Sequence, residues 1–261
     1  GAYFVNVTVD GIIVNTTFVT VTANNVSAIS LTPLSSSTPA GIGQNFSATA
    51  FDKWGNVNSS TISWGTNSSL GASSFNTTSG NSAFFNDTVA LVYKVNASVG
   101  SIVSNASLNV RPNTVVRMSV NPYEVNATAG VDLPFASTAY DEWNNVNSTA
   151  FVVTSWCTNS TATATPTGIS TVLFNSTVAE AVNLTAQYDG VFNWTTINVL
   201  PNVVTSLVIT PIDPALVAGF GGDFGATAYD AWGNVNSTAT LSWGTNSSLG
   251  ASAFNTTSGY S

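Results

Sequence analysis

The stretch AFDKWGNVN (Ala50–Asn58) returns as AYDEWNNVN (Ala139–Asn147) and as AYDAWGNVN (Ala228–Asn236), 89 residues apart both times. A fixed period near 90 residues without helical patterning is the size of one small β-sandwich. The period divides the 261 residues into a closing pair of strands (1–23), two complete units (24–112 and 113–201) and the opening part of another unit (202–261).

Working outward from the repeated stretch, Phe46, Ala48 and Ala50 alternate with polar residues into Asp52, and a Trp-Gly-Asn turn follows. Val26–Leu31 reads as the opening strand, and Pro33 after it has counterparts in Pro122 and Pro211. Proline lacks an amide donor, which places it at a strand end or sheet edge. Thr61–Trp64 and several short Ser/Thr-rich strands lead on to Phe85. Val89–Val99 and Ile102–Val110 then close the unit. Turn residues every ~8–12 positions, many β-branched residues and no 3.6-residue period make the unit all-β. The chain opens with the same closing pair, Tyr3–Val9 and Ile12–Val21, joined by Asp10-Gly11. Asp-Gly between alternating apolar runs is a strong hairpin signal.

The second unit keeps both ends of the pattern but carries TSWCTNSTATATPTGIS (Thr154–Ser170) in its middle. The third stops at Ser261, level with Ser82. Its LSWGTNSSLGASAFNTTSG (Leu241–Gly259) differs from Ile62–Gly80 at two of nineteen positions. Tandem duplication accounts for such near-identity.

Composition narrows the function. Charged residues are 6% of the chain, four Lys and Arg against twelve Asp and Glu with no His, for a net charge of −8. Lys53, Lys94, Arg111 and Arg117 form no basic cluster, so nucleic acid is not an expected partner. A soluble surface ordinarily carries far more charge. Of thirty Asn residues, nineteen lie in Asn-X-Ser/Thr sequons, whereas the 70 Ser and Thr would give about eight by chance. The excess points to N-glycans as the solubilising layer. The sites are Asn6, Asn15, Asn25, Asn45, Asn58, Asn67, Asn76, Asn86, Asn96, Asn105, Asn126, Asn147, Asn159, Asn175, Asn183, Asn193, Asn236, Asn246 and Asn255. Asn58, Asn67, Asn147, Asn236 and Asn246, in turns and on outward strand faces, are the foremost candidates. No apolar run approaches the ~18 residues of a membrane helix. The chain starts on Gly1 without a signal peptide, as expected of a processed form or a window from something longer.

Candidate sites are few. Asp52, Asp141 and Asp230 sit beside amide oxygens, as in a calcium loop, but each loop offers one fixed acid where calcium wants six to eight oxygens. We read the motif as a turn in which Asp accepts backbone N–H bonds and Gly or Asn supplies a positive φ. Trp64, Trp156 and Trp243 read as core indoles; Trp54, Trp143 and Trp232, being in the turns, divide between core packing and a sugar platform. The single Cys157 reads as a buried thiol, with an intermolecular bridge as the alternative. Without His or repeated carboxylate pairs there is no catalytic, metal or cofactor site to name. Lys53 and Lys94 lack lysine counterparts in the other units, so no repeat-wide isopeptide staple is expected.

The segment ATAYDAWGNVNSTATLSWGT (Ala226–Thr245) resembles the bacterial and archaeal Ig-like repeat domains of the invasin/intimin type. There a strand ends in Asp-X-X-Gly-Asn before the next closes with Trp or Phe. Asn144 replaces the Gly, and Val57, Val146 and Val235 replace the usual proline. Low charge, sequons and Ser/Thr-rich β-repeats are further similar to secreted crenarchaeal surface and filament proteins. The resemblance implies a stack of Ig-like sandwiches used as a stalk, adhesin or fibre at the cell surface.

The expectation is therefore an extracellular, non-catalytic structural protein that partners itself head to tail. Its form is either subunits donating strands or one long repeat array, since only about eight residues separate the position of Ser261 from that of Gly1 in the repeat. An adhesin or carbohydrate-binding module would need exposed aromatic pairs or a tip domain, and the sequence displays neither. Accessory Ig-like domains of a larger secreted enzyme are the third reading. Twelve carboxylates without His lead us to expect stability that varies little with pH in the acid range.

Overall fold

The computed structural model describes residues 1–148, 155–167, 170–256 and 258–260. They form two compact units, one of residues 1–114 with Asp141–Asn145, the other of residues 115–140 with 146–261. Thr154, Gly168 and Ile169 of the divergent segment, and Ser261, lie outside the described residues.

The first unit begins with a two-stranded hairpin, β1 (Ala2–Val9) and β2 (Ile12–Thr20). Asp10 and Gly11 turn it with φ of 52° and 81°. Two positive-φ residues match the right-handed twist of the flanking strands. Both faces of the hairpin are exposed, Tyr3, Val5, Val7, Val19 and Val21 among them.

The sandwich that follows contains β3 (Val26–Thr32), β4 (Ser35–Pro39), β5 (Gln44–Asp52), β6 (Val57–Asn58), β7 (Ser63–Thr66), a 3-10 turn (Gly71–Ser74), β8 (Ser82–Phe85), β9 (Val92–Val99) and β10 (Ile102–Arg111). One sheet runs β3-β5-β6 with β8 also on β5; the other runs β4-β10-β9-β7. Alternation places Phe46, Ala48, Ala50 and Asp52 of β5 inward. From the facing sheet come Tyr93, Val95 and Ala97 of β9 and Ala106, Leu108 and Val110 of β10. The small alanines of β5 leave room for bulky side chains opposite, as close packing requires. Trp64 is buried as expected, its indole N–H donating to the Gly80 carbonyl at 2.8 Å. Phe75, Phe85 and Tyr93 continue the core in tilted and edge-on contacts. β4 pairs in parallel with β10, Ser35 opposite Ser107 and Pro39 opposite Arg111. The chain thus crosses between sheets at Thr32–Ser35, beside Pro33.

The second sandwich contains β11 (Arg117–Asn121), β12 (Val125–Thr128), β13 (Leu133–Tyr140), β14 (Ser155–Thr158), β15 (Thr163–Pro166), β16 (Thr171–Asn175), β17 (Ala181–Tyr188) and β18 (Val191–Leu200). Its sheets run β11-β13-β16-β15 and β12-β18-β17-β14. Where the first sandwich has its 3-10 turn, β15 pairs with β16, so the divergent segment adds a strand. Phe135 and Phe174 meet edge-on among Met118, Val172, Leu184 and Ile197, all buried. Trp156 packs against this core. Cys157, read from sequence as buried, is exposed. β14 turns Trp156 and Thr158 toward the interior, so the residue between them faces out.

The rest of the second unit holds β19 (Ser206–Thr210), β20 (Gly225–Tyr229), β21 (Thr240–Ser242), a 3-10 turn (Gly250–Ala253) and β22 (Ser258–Tyr260). β19 pairs with β20, and β21 with β22. Trp243 is half-buried against Phe254. Leu207 and Ile209 stand at the repeat positions of Met118 and Val120, yet they are 57% and 50% exposed against 2% and 6%. Their apolar face, continued by Pro211, Ile212, Pro214 and Phe224, lines an open cleft.

Candidate functional site

The three Asp-X-Trp turns are built alike. In the last, Asp230 Oδ1 accepts the backbone N–H of Trp232 and of Asn234, each at 2.9 Å. Its Oδ2 accepts the Asn202 N–H at 3.0 Å and the Asn234 amide at 2.7 Å. Gly233 makes the turn with φ 84°, as Gly55 does with 81° and Asn144 with 66°. That is the conformation in which glycine, then asparagine, has least steric cost. Asp52 and Asp141 are held by the matching donors, Asn24, Trp54 and Asn56 in one case, Asn113, Trp143 and Asn145 in the other. The carboxylates accept hydrogen bonds from N–H groups, which is the geometry of a turn. Among the described residues no three His, Cys, Asp or Glu side chains converge to hold a metal ion.

These donors stabilise the charged carboxylate. The Asn56 side chain does most to bring Asp52 down to about 2, helped by the Asn24, Asn56 and Trp54 amides against the opposing effect of burial. At Asp230 burial is the largest influence and raises the pKa, but the Asn234, Asn202 and Trp232 donors together outweigh it and bring the group to about 2. The same balance lowers Asp141. The three repeated carboxylates are thus held toward the charged form, a link between pH and the turns that composition alone did not suggest.

Two of the turns do more than turn. Within the second unit, the six-membered ring of Trp232 packs against Gly130, whose φ is 76°. A Cβ there would come 2.2 Å from Cη2. Beside it the Asn234 amide donates to the Thr177 carbonyl at 2.8 Å and accepts the Ala179 N–H at 2.8 Å. Asn202, at the entry to the third repeat, donates to the Ala129 carbonyl at 2.9 Å. Within the first unit the pattern recurs. Trp143 covers Gly41, also at φ 76° and 2.2 Å. Asn145 bridges the Thr88 carbonyl and the Ala90 N–H at 2.7 and 2.8 Å, and Asn113 reaches the Ala40 carbonyl at 3.1 Å. Each joint thus consists of an indole on a glycine and two side-chain amides on backbone groups. The sequence supplied Trp143 and Trp232 but left their partners unnamed. The signal was there in Ala40-Gly41, Ala129-Gly130 and Ala218-Gly219, which recur with the same period.

The sandwiches have known counterparts. FdeC, an Escherichia coli adhesin, superposes with a TM-score of 0.58 at 15% identity, covering 87% of this chain and 84% of that one. The fold is that of invasin-type Ig-like domains. Invasin, described as a bacterial integrin-binding protein, gives 0.55 at 14% identity over 80% of this chain and 48% of its own. InvD of Yersinia pseudotuberculosis gives 0.50 at 14% over 82% and 72%. No protein-family model and no curated protein matches the sequence.

The sequon asparagines are spread over both Ig-like units, and none is buried. Asn6 and Asn15 lie on the hairpin; Asn67, Asn76, Asn105, Asn126, Asn159, Asn246 and Asn255 are exposed. Asn58, Asn193 and Asn236 are half-buried, their amides donating to the carbonyls of Asn24, Met118 and Asn202. One feature that the sequence did not display is an exposed aromatic pair. Phe192 and Trp194, alternate residues on the outward face of β18, stack with centroids 6.2 Å apart. Among the described residues no helix is long and apolar enough to cross a membrane.

Proposed function

We propose that the chain is a non-catalytic structural segment of a glycosylated extracellular filament or stalk, propagated head to tail, with residues 24–112 and 113–201 as its complete Ig-like domains. One observation carries this reading: the hairpin of residues 1–20 and the third repeat expose complementary halves of one sandwich. Tyr3, Val5, Val19 and Val21 stand where Tyr93, Val95, Leu108 and Val110 are buried in the first sandwich. In the third repeat, Pro214–Val217 stands where β12 pairs with β18, and it has no strand beside it among the described residues. Unpaired strands and uncovered apolar faces are templates for strand addition. A contact that joins different faces of two copies propagates without closing. The adhesin names of the structural neighbours accord with a cell-surface location, and the sequons with a glycan coat.

Heating the assembled material in detergent tests it. A band at the 26.9 kDa polypeptide mass plus glycan identifies donated strands, and a very large mass identifies one continuous array. A folded monomer with both ends stable rejects both forms.

The Phe192–Trp194 stack favours one second reading, an adhesin that packs sugar rings on exposed aromatics. Binding on a glycan array that disappears in Trp194→Ala would establish it.

A further inference from the structure

Strand register sets a sequon beside the exposed aromatic stack of the second sandwich. Phe192 and Trp194 are 57% and 49% exposed, with ring planes 28° from parallel. On β17, which pairs with β18, Thr185 stands opposite Trp194 and Asn183 opposite Thr196. Alternation turns all of these outward. Asn183 and Trp194 are therefore diagonal neighbours on one face, about 7–8 Å apart and within reach of long side chains. Along that face the order is Asn183, Trp194, Phe192. Asn183 opens the sequon Asn183-Leu184-Thr185. Its Oδ1 accepts the Thr196 hydroxyl at 3.0 Å, which anchors the carboxamide. Among the described residues its amide nitrogen donates to no protein group.

The neighbouring sequons are placed less well. Asn193 lies between the two aromatics in sequence, but its amide turns to the opposite face and donates to the Met118 carbonyl at 2.8 Å. Asn126, on the other flank of β18, is level with Asn198, four residues and roughly 13 Å along the strand from Trp194. Asn159 lies on the far side of β17, its Oδ1 accepting the Asn183 N–H at 2.8 Å. In the first sandwich Lys94, Val103 and Asn105 occupy the positions of Asn183, Phe192 and Trp194. This sequon and the aromatic pair are thus missing there together.

We infer that the N-glycan of Asn183 lies along β18, its first sugar on the Trp194 indole and its next on Phe192. This rests on the glycan coat proposed above and gives the aromatic stack an occupant from the chain itself. The C–H face of a pyranose meets the negative face of an aromatic ring favourably and covers its apolar surface. Attachment two residues away holds the sugar at the platform at an effective concentration of millimolar order, so even a weak contact is populated. The contact stiffens the root of the glycan and closes the platform to sugars from outside.

The test uses the folded full chain with its native glycans. Glycopeptide mass spectrometry identifies the occupied sequons, and carbon–proton NMR reads the sugar on Asn183. The expected result is an occupied Asn183 whose first sugar has ring protons shifted upfield by the indole. Trp194→Ala, with unchanged circular dichroism, abolishes the shift, whereas Trp194→Phe keeps part of it. A free N-acetylglucosamine disaccharide leaves the Trp194 resonances of the wild type unmoved. Movement of those resonances overturns the inference in favour of the adhesin reading. An occupied Asn183 with unshifted sugar protons overturns it and leaves the glycan coat standing. So does a bare Asn183 among occupied sequons such as Asn67 and Asn126. Bare asparagine throughout overturns the coat and the inference together.

Discussion

Cη2 of Trp232 lies 2.2 Å from the point where residue 130 would carry a Cβ, so the joint exists only because residue 130 is glycine. Gly130→Ala must displace the indole and also place a side chain in the left-handed region. That region alone costs roughly 1–2 kcal/mol for an L-residue. Gly100→Ala is the matching control, with φ 58° and open space around the would-be Cβ. We expect Gly130→Ala to be the more destabilising of the two, with hydrogen exchange in residues 230–234 rising only in that variant. Equal effects would mean that the indole contributes nothing.

Acid is expected to loosen the turns. The folded pKa of Asp52 and Asp230 is about 2, below the ordinary 3.8, and that of Asp141 is lowered too. A depressed carboxylate contributes stability that is complete above its unfolded pKa and is lost as pH falls through the folded one. Melting temperature should therefore hold steady down to about pH 4 and decline between about pH 4 and 2. The triple variant Asp52→Asn, Asp141→Asn, Asp230→Asn should be less stable at neutral pH and flatter across this window. A wild-type profile as flat as the variant's would remove the aspartates from the account.

Val5→Asp and Val19→Asp alter residues that are exposed on the hairpin and correspond to buried Val95 and Leu108. Each should abolish assembly measured by light scattering while leaving the unfolding of the two sandwiches unchanged. A charged group placed in a newly formed core without a partner is strongly unfavourable. Normal assembly of either variant would show that the hairpin covers no apolar face.

Glycan occupancy should follow the geometry of the amide nitrogen. Asn67, Asn105, Asn126 and Asn246 are exposed, whereas Asn58, Asn193 and Asn236 donate their amides to backbone carbonyls. A glycosidic bond replaces one of the two N–H groups, and a nitrogen turned toward a backbone carbonyl in a half-buried side chain leaves less room for the sugar. Glycopeptide mass spectrometry should find the first group filled and the second occupied less, which lowers Asn58 and Asn236 from the foremost rank the sequence suggested. Bare asparagine throughout would end the argument that sugar substitutes for surface charge.

The local parts of this fold were legible because local chemistry determines them. Asp10-Gly11 announced the hairpin, and Asp52 with Gly55 announced the turn, each through a few adjacent residues. The alternation Phe46, Ala48, Ala50 announced a half-buried strand. Cys157 was misplaced because a lone polar-apolar alternation between Trp156 and Thr158 has two equally readable faces, and only the pairing of β14 with β17 selects one. The parallel pairing of β4 with β10 joins residues 72 apart and leaves no pattern in either segment. The Trp232 seat was harder still, since its partner is a glycine, and a residue without a side chain has no pattern of its own. Phe192 and Trp194 are i, i+2 neighbours, but the exposed stack was not legible because which face of β18 looks outward is again a property of the sheet.

The joints hold onto carbonyls and amides of the receiving sandwich, at Ala40, Thr88 and Ala90 in one case and Ala129, Thr177 and Ala179 in the other. Every polypeptide offers those groups, so a receiving face need preserve only one glycine and its backbone course. Genetic drift can then rewrite the interior of any single module, as Thr154–Ser170 shows, without damaging its seam to a neighbour. Unequal recombination that adds or deletes whole modules likewise yields seams that already fit. A change in the number of modules then leaves the residues of each such contact untouched.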